Sequence, residues 1–311
     1  MDAIAVGIDV AKDRLDICVR PSGESFVVDR SGAGIEALAE RLTRLRPRIV
    51  GVEATGGFET IVAAGLVSAD LPVVVVNPAQ VRAFAQALGK RAKTDPIDAA
   101  VIAHFVEATK VEPRPLPDEM TRLLADLVAR RRQIVEMMAA EGQRARRMTD
   151  KRLRKSIARL RKAMEKELAE LDGEIDDHVR GSPVWAEKEN LLASVPGVGP
   201  IVARTLIAEL PELGRLDRRK IASLVGVAPI NRDSGALRGR KTIAGGRAPV
   251  RTALYRAALV ASRSNPVIAA HYQKLRANGK AAKQALTACI RKLIVILNAI
   301  LRDRKPWSLP A

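Results

Sequence analysis

Aromatic side chains make up only 3% of this 311-residue chain, so its cores must be aliphatic. With Ala and Arg abundant, much of that core is expected to be helical. The two cysteines, Cys18 and Cys289, are far apart and have no CxxC company, which excludes a disulfide framework and a Cys-based structural zinc site. The three histidines, His104, His178 and His271, are scattered over helix-like stretches. Each reads as a helix-face residue rather than a zinc ligand or catalytic base. Any metal must therefore be held by carboxylates, which points to a hard cation such as Mg²⁺. No apolar run reaches the ~18 residues that span a bilayer, and the longest, such as Leu71–Val76, are strand-sized. Met1 is followed by an acid rather than a basic segment, so no signal peptide is expected. Acidic residues are also short: 35 against 53 Lys and Arg, a net charge of +18. That excess implies a polyanionic partner, with nucleic acid in the cytoplasm favoured over a membrane surface.

What is present divides into three regions: 1–112, 113–181 and 182–311. The first alternates strands and helices. Strands are expected at Ile4–Val10, Arg14–Arg20, Ser25–Asp29, Arg48–Glu53 and Val73–Val76. Helices are expected over Gly34–Arg46, Glu59–Ser68 and from Asn77-Pro78 to Leu88. Three antiparallel-looking strands followed by helix, strand, helix, strand, helix is the element order of an RNase H-like α/β fold. The stiff Pro113-Arg-Pro-Leu-Pro117 reads as a linker. Beyond it, apolar residues at spacings of three and four from Leu123 to Ile175 predict two long amphipathic helices in a coiled-coil hairpin. The third region is mainly helical, apart from a polar stretch over 229–247.

Two blocks concentrate the charge. From Arg130 to Lys162 the balance is 13 − 3 = +10; it includes Arg130, Arg131, Arg132, Arg146 and Arg147. From Arg215 to Arg256 it is 11 − 2 = +9; it includes Arg232, Arg238, Arg240, Lys241, Arg247 and Arg251. A solvated helix face mixes signs, so single-sign blocks favour surfaces that track phosphates. Pro196-Gly197-Val198-Gly199 between two helical patterns resembles a helix-hairpin-helix module, whose glycines let backbone N–H groups approach a phosphate. A simple tight turn is the competing reading. Gly235–Thr242 does not meet the GxxxxGK[ST] spacing and no strand precedes it, so ATP binding is discarded.

Four carboxylates form a second pattern. Asp9 lies near the end of the first strand and Glu53 at the end of the fourth. If those strands are neighbours, both emerge at one edge. A helix starting at Asp95 beside that edge adds Asp95 and Asp98. In Thr94-Asp-Pro-Ile-Asp98, capping is a complete local explanation: Thr94 or Asp95 as cap, Pro96 in the first turn and Asp98 at the positive end of the dipole. Capping does not exclude coordination. Four acids on separate elements repel one another unless a cation sits between them, and their use together is Mg²⁺ coordination for phosphoryl transfer. Ser234, in Arg232-Asp-Ser-Gly235, reads on composition as a turn residue, with no histidine nearby to activate it.

The motifs Gly7–Lys12, Val52–Gly56, Lys93–Ala99, Val195–Gly199, Gly226–Gly246 and Val250–Ala258 together resemble the DEDD transposases of bridge-RNA-guided insertion sequences, a family of serine recombinases. The likeness covers nearly the whole chain. It implies an RNase H-like domain similar to Holliday-junction resolvases, with Asp9, Glu53, Asp95 and Asp98 as its Mg²⁺-binding acids. It further implies a coiled-coil spacer and a C-terminal transposase domain whose nucleophile is Ser234. Such an enzyme acts as a homodimer or homotetramer in which acids and serine come from different subunits. Its partners are donor and target double-stranded DNA and a structured non-coding bridge RNA that pairs with both. Two rival readings are a hydrolytic structure-selective nuclease that uses the same acids with water, and a non-enzymatic architectural nucleic-acid-binding protein.

Overall fold

In a computed structural model of the chain, residues 3–90, 95–113, 118–231, 234, 239 and 241–309 are described. They fall into two units, Met1–Leu116 and Pro117–Ala311.

In the first unit, period-two alternation along the strands assigns side chains to two helical layers. Val6, Ile8 and Val10 of β1 (Ala5–Val10), with Leu15, Ile17 and Val19 of β2 (Arg14–Arg20), turn to one face. There they meet Ile35, Leu38 and Leu42 of α1 (Gly32–Leu45) and, from farther along the chain, Val62 and Leu66 of α2 (Phe58–Ser68). β3 (Glu24–Asp29) forms an edge of the sheet, which is completed by β4 (Ile49–Glu53) and β5 (Val73–Val76). The order is β3-β2-β1-β4-β5. The first three strands pair antiparallel, while β1–β4 and β4–β5 are parallel. This mixed sheet is compatible with the RNase H-like domain read from the element order.

The opposite face carries α3 (Pro78–Ala87) and α4 (Asp95–Thr109), which bury Val81, Ile102, Phe105 and Val106 against Ala5, Ile49, Val74 and Val76. α4 sits unusually close to β1 because Gly7 has no side chain. A Cβ there would lie 2.2 Å from both Ala99 O and Ala103 N. At Gly51, the register partner of Gly7, a Cβ would come within 2.6 Å of Val106 Cγ1. Small residues on both strands and on the facing helix thus fix how α4 lies across the ends of β1 and β4.

The second unit is helical. α5 (Glu119–Arg147) and α6 (Lys151–Gly181) form the long hairpin. Asp118 and Asp150 cap their N-termini by accepting from the N–H groups of Thr121 and Leu153. Leu124, Val128, Ile175 and Val179 at the base of the hairpin join one core with α7 (Pro183–Ala193), α8 (Pro200–Glu209), α9 (Arg218–Val225), α10 (Ala248–Ser264), α11 (Pro266–Ala277) and α12 (Ala282–Asp303). The hairpin base is therefore part of this unit's core, whereas the sequence pattern separates 113–181 as a spacer. α12 is long and apolar enough to cross a membrane by composition, a feature that a search for uninterrupted apolar runs passes over. Its Leu286, Cys289, Ile290, Leu293, Ile294 and Leu297 are instead buried in this core.

Candidate active site

The first unit brings acids together at the carboxyl ends of β1 and β4. Gly7 pairs with Gly51 and Ile8 with Val52, so Asp9 and Glu53 are the next residues along adjacent strands. Both point, like the two glycines, to the face covered by α4. Ala99 of α4 rests on Gly7, and Asp98 precedes it at the helix N-terminus. Glu53 and Asp98 line a single cavity of about 600 Å³. Asp9, Glu53 and Asp98 are each half-buried and each has polar partners. Asp95 is the first residue of α4, as its sequence predicts. Its side chain lies outside the described residues, and among those that are described no group of three or more His, Cys, Asp or Glu is arranged to hold a metal. The donor set nevertheless suits a hard divalent cation, because Glu53 and Asp98 bring carboxylate oxygens to one cavity that, among the described residues, has no sulfur or imidazole in its lining.

The cavity also has cations. α3 contributes Arg82 and Gln86, and Lys90 follows it. Carboxylates flanked by exposed bases suit a phosphodiester, whose own charge must be neutralised when it approaches acids. The sequence reading did not single out these two bases. It also missed Asp16, which is only 3% exposed. Asp16 is the register partner of Asp9 on β2 and accepts from Arg14 Nε at 3.1 Å. Alternation from Cys18, the partner of Gly7, to Asp16 was the available signal. His104 packs edge-on against Phe84 at 5.1 Å, in keeping with a helix-face residue.

In the second unit Ser234 is exposed on the long connection between α9 and α10. Its neighbours Arg232, Arg238 and Arg240 lie outside the described residues. The stem of this loop is held by close backbone contacts. Gly226 ends α9 in the left-handed conformation, φ 77°. It meets Gly245 and Gly246 backbone to backbone: a Cβ on Gly226 would fall 2.2 Å from Gly245 O, and one on Gly246 2.2 Å from Gly226 N. Arg251 ties the two sides by donating from Nη1 to Val225 O at 3.1 Å and Gly245 O at 2.7 Å. Arg247 forms a bidentate pair with Glu212, both contacts 2.6 Å, and donates to Glu209 O at 2.8 Å. Further out, the Ile230 N–H donates to Thr242 O at 2.8 Å. Asp217 caps α9. The N–H groups of Lys220 and Arg219 that it accepts hold its carboxyl below the usual carboxylate range.

The other bases divide by environment. Arg131 is half-buried and clasps Asp172 across the hairpin at 2.5 and 3.2 Å, and Arg132 pairs with Glu209. Arg130, Arg146 and Arg147 are exposed, and so is Lys241. The turn Pro196–Gly199 does join two helices, α7 and α8, as read from sequence. Gly197 (φ 99°) is pressed against α10, where a Cβ would lie 2.6 Å from Ala261 Cβ. Gly199, by contrast, is exposed at the N-terminus of α8.

Comparison with known proteins finds two matching segments, the first of which runs from the sheet unit into α6. A family model for DEDD transposases of IS110 type, described as a transposase, matches residues 6–153. A second, for transposases of the IS116/IS110/IS902 family, matches residues 189–273. The pilin gene-inverting protein of Moraxella bovis is 26% identical over 99% of this chain and 98% of its own length. A 42 kDa protein of insertion element IS900 from Mycobacterium paratuberculosis is 31% identical over 47% of this chain and 37% of its own. A 43.6 kDa protein of insertion element IS110 from Streptomyces coelicolor is 31% identical over 36% and 28%. Residues 6–153 and 189–273 of the chain are thus similar to the two transposase domains of the IS110/IS116/IS902 family.

Proposed function

We propose that the protein is a Mg²⁺-dependent, RNA-guided DNA recombinase that moves an insertion sequence through a phosphoserine–DNA intermediate. One observation carries the reading: Glu53 and Asp98 share a cavity beside Asp9, with Arg82 and Lys90 on the same cavity. Carboxylates alone would repel a phosphodiester. Acids with bases at their edge are the environment in which one can be bound.

The proposed chemistry is two reciprocal phosphoryl transfers. The Ser234 Oγ attacks a DNA phosphorus, the P–O3′ bond breaks, and the serine proton ends on the departing 3′ oxygen. In the second step a different 3′-hydroxyl attacks the phosphoserine, the Oγ–P bond breaks, and Ser234 recovers its proton. Each transfer breaks one phosphodiester bond and forms another, so no ATP is needed. Asp9, Glu53, Asp95 and Asp98 would hold the Mg²⁺, which supplies charge neutralisation on the phosphate and substitutes for the missing histidine. Arg247 and Arg251 hold the stem of the serine loop, while the exposed bases Arg130, Arg146, Arg147 and Lys241 offer phosphate contacts. The amide end at Gly199 offers another. Base pairing by a structured bridge RNA would select donor and target, leaving shape and backbone to the protein.

The test is an adduct assay. Protein assembled with RNA from the flanks of its own element is incubated with labelled donor and target DNA and Mg²⁺, then resolved on a denaturing gel. Protein-bound DNA should appear, and should vanish in Ser234→Ala and in Glu53→Gln. Cleaved DNA without an adduct, unaffected by Ser234→Ala, would replace this reading with a nuclease that uses water.

A further inference from the structure

The connection between α9 and α10 borders a second cavity of about 600 Å³ in the C-terminal unit. Lys241 and Thr242 enter it from the outgoing side of the serine loop. Lys280 contributes from the turn after α11, and Gln284, Thr287 and Arg291 from α12. Lys241, Lys280 and Arg291 are exposed, and none forms an ion pair among the described residues. Elsewhere in this unit half-buried arginines are neutralised: Arg131 by Asp172, Arg204 by Asp176 and Glu189, Arg247 by Glu212. Among the described residues, no acid lines this cavity. From Ser234 to Arg302 the chain has fourteen Lys and Arg and no Asp or Glu.

Three cations around one concavity repel one another and gain only from an anion between them. The amide of Gln284 adds a neutral hydrogen-bonding group, the Thr287 hydroxyl, which donates to Lys283 O at 2.9 Å, keeps only its acceptor capacity, and Leu275, Ile243 and Val227 give the cavity apolar walls. That combination fits a sugar–phosphate backbone, with oxygens on the bases and the sugar against the aliphatic side chains. Thr242 also closes the loop by its contact with Ile230, so an anion bound here is held at the stem of the segment that presents Ser234.

We infer that Lys241, Lys280 and Arg291 form a nucleic-acid backbone site that anchors a strand at the stem of the serine loop. The inference rests on the proposed recombinase reading only for the role of Ser234; strand binding itself is independent of the chemistry. No base-edge reader is needed, so the site contributes affinity without sequence selection.

Binding is measured on the full-length protein in EDTA, by fluorescence anisotropy across a salt series, with duplex DNA and a structured RNA as separate probes. Lys280→Gln with Arg291→Gln removes two of the three cations. Lys274→Gln with Lys283→Gln removes two exposed lysines that do not line the cavity. Each phosphate contact contributes a slope of about 0.9 in log K against log salt on duplex DNA, and about 0.7 on single strands. The cavity variant should lose nearly two such increments on the probe that occupies the site, and at least tenfold in affinity. The control variant should lose a small fraction of that. The probe with the larger loss identifies the site as DNA-binding or RNA-binding. Equal losses in the two variants would overturn the site and leave only diffuse charge attraction. Adduct formation by the same preparations is read separately: an intact adduct in the wild type alongside equal losses rejects the cavity site and leaves the recombinase reading standing. Absence of binding to either probe rejects both.

Discussion

Gly7 is the residue on which the acid site depends most directly. It carries no functional group, yet its missing side chain sets how closely α4 approaches β1 and hence where Asp98 meets Glu53. Gly7→Ala would drive a methyl group into Ala99 O and Ala103 N, both 2.2 Å away. Backbone atoms cannot swing aside as a side-chain tip can, so the helix itself must move. The expected cost is ~3 kcal/mol or more, at or above the usual range for overpacking. Urea denaturation of the variant should show it, together with loss of DNA cleavage in the fraction that stays folded. A Gly7→Ala protein of wild-type stability and activity would mean that α4 is not seated on this glycine. The acids were legible in sequence because each stands at the end of a strand or the start of a helix, where period and capping signals are strongest. Asp16 was not, because its nearest basic neighbour, Arg14, gives it a complete local explanation. Only the pairing with Asp9 reveals which face it shares. Arg82 and Lys90 were missed for a related reason: bases on and just after a surface helix look like solvation until the fold turns them toward acids.

At the level of elements, the strand and helix boundaries of the first unit follow the sequence pattern closely. β2 and β5 have the same limits in both. Here the alternation has a single physical cause, burial of opposite faces by separate helices. The second unit was legible as helices but not as an arrangement of them, since amphipathic periodicity says which face is buried and not against what. Asn298 is one of the links that sequence cannot supply. It is 4% exposed on the apolar helix α12. Its amide donates to Leu216 O at 2.8 Å and its oxygen accepts from Gly214 N at 2.8 Å, pinning the connection between α8 and α9 to α12. Asn298→Leu keeps the branched shape, in a somewhat larger side chain, but strands a backbone N–H and a carbonyl. Each unsatisfied buried group costs about 1–3 kcal/mol, so a loss of ~2–6 kcal/mol in chemical denaturation is expected. A change below ~0.5 kcal/mol would show that water replaces both bonds at no cost. Because the same connection leads into α9, and α9 into the loop that carries Ser234, the variant should also lower the yield of the proposed adduct under conditions where it remains folded.

For the whole molecule, the distribution of buried residues separates two folding problems. The clusters of the first unit draw only on Ala5–Val106, and the cluster of the second only on Leu124–Ile300. Each is of ordinary domain size, large enough to offset its own chain entropy. A fragment of residues 118–309 should therefore fold alone, giving a helical circular dichroism spectrum and a single cooperative urea transition. A fragment of residues 1–113 should do so independently, with the mixed spectrum of its five-stranded sheet. The charge follows the same division: the two basic blocks, +10 and +9, lie wholly within residues 130–256. The larger fragment should accordingly retain most of the salt-dependent affinity for nucleic acid, while the smaller holds the acids and binds weakly. If residues 118–309 instead gave a broad, uncooperative transition, the helical unit would need the sheet domain to complete its packing. The separation of its core from that of the sheet domain would then be insufficient for independent folding.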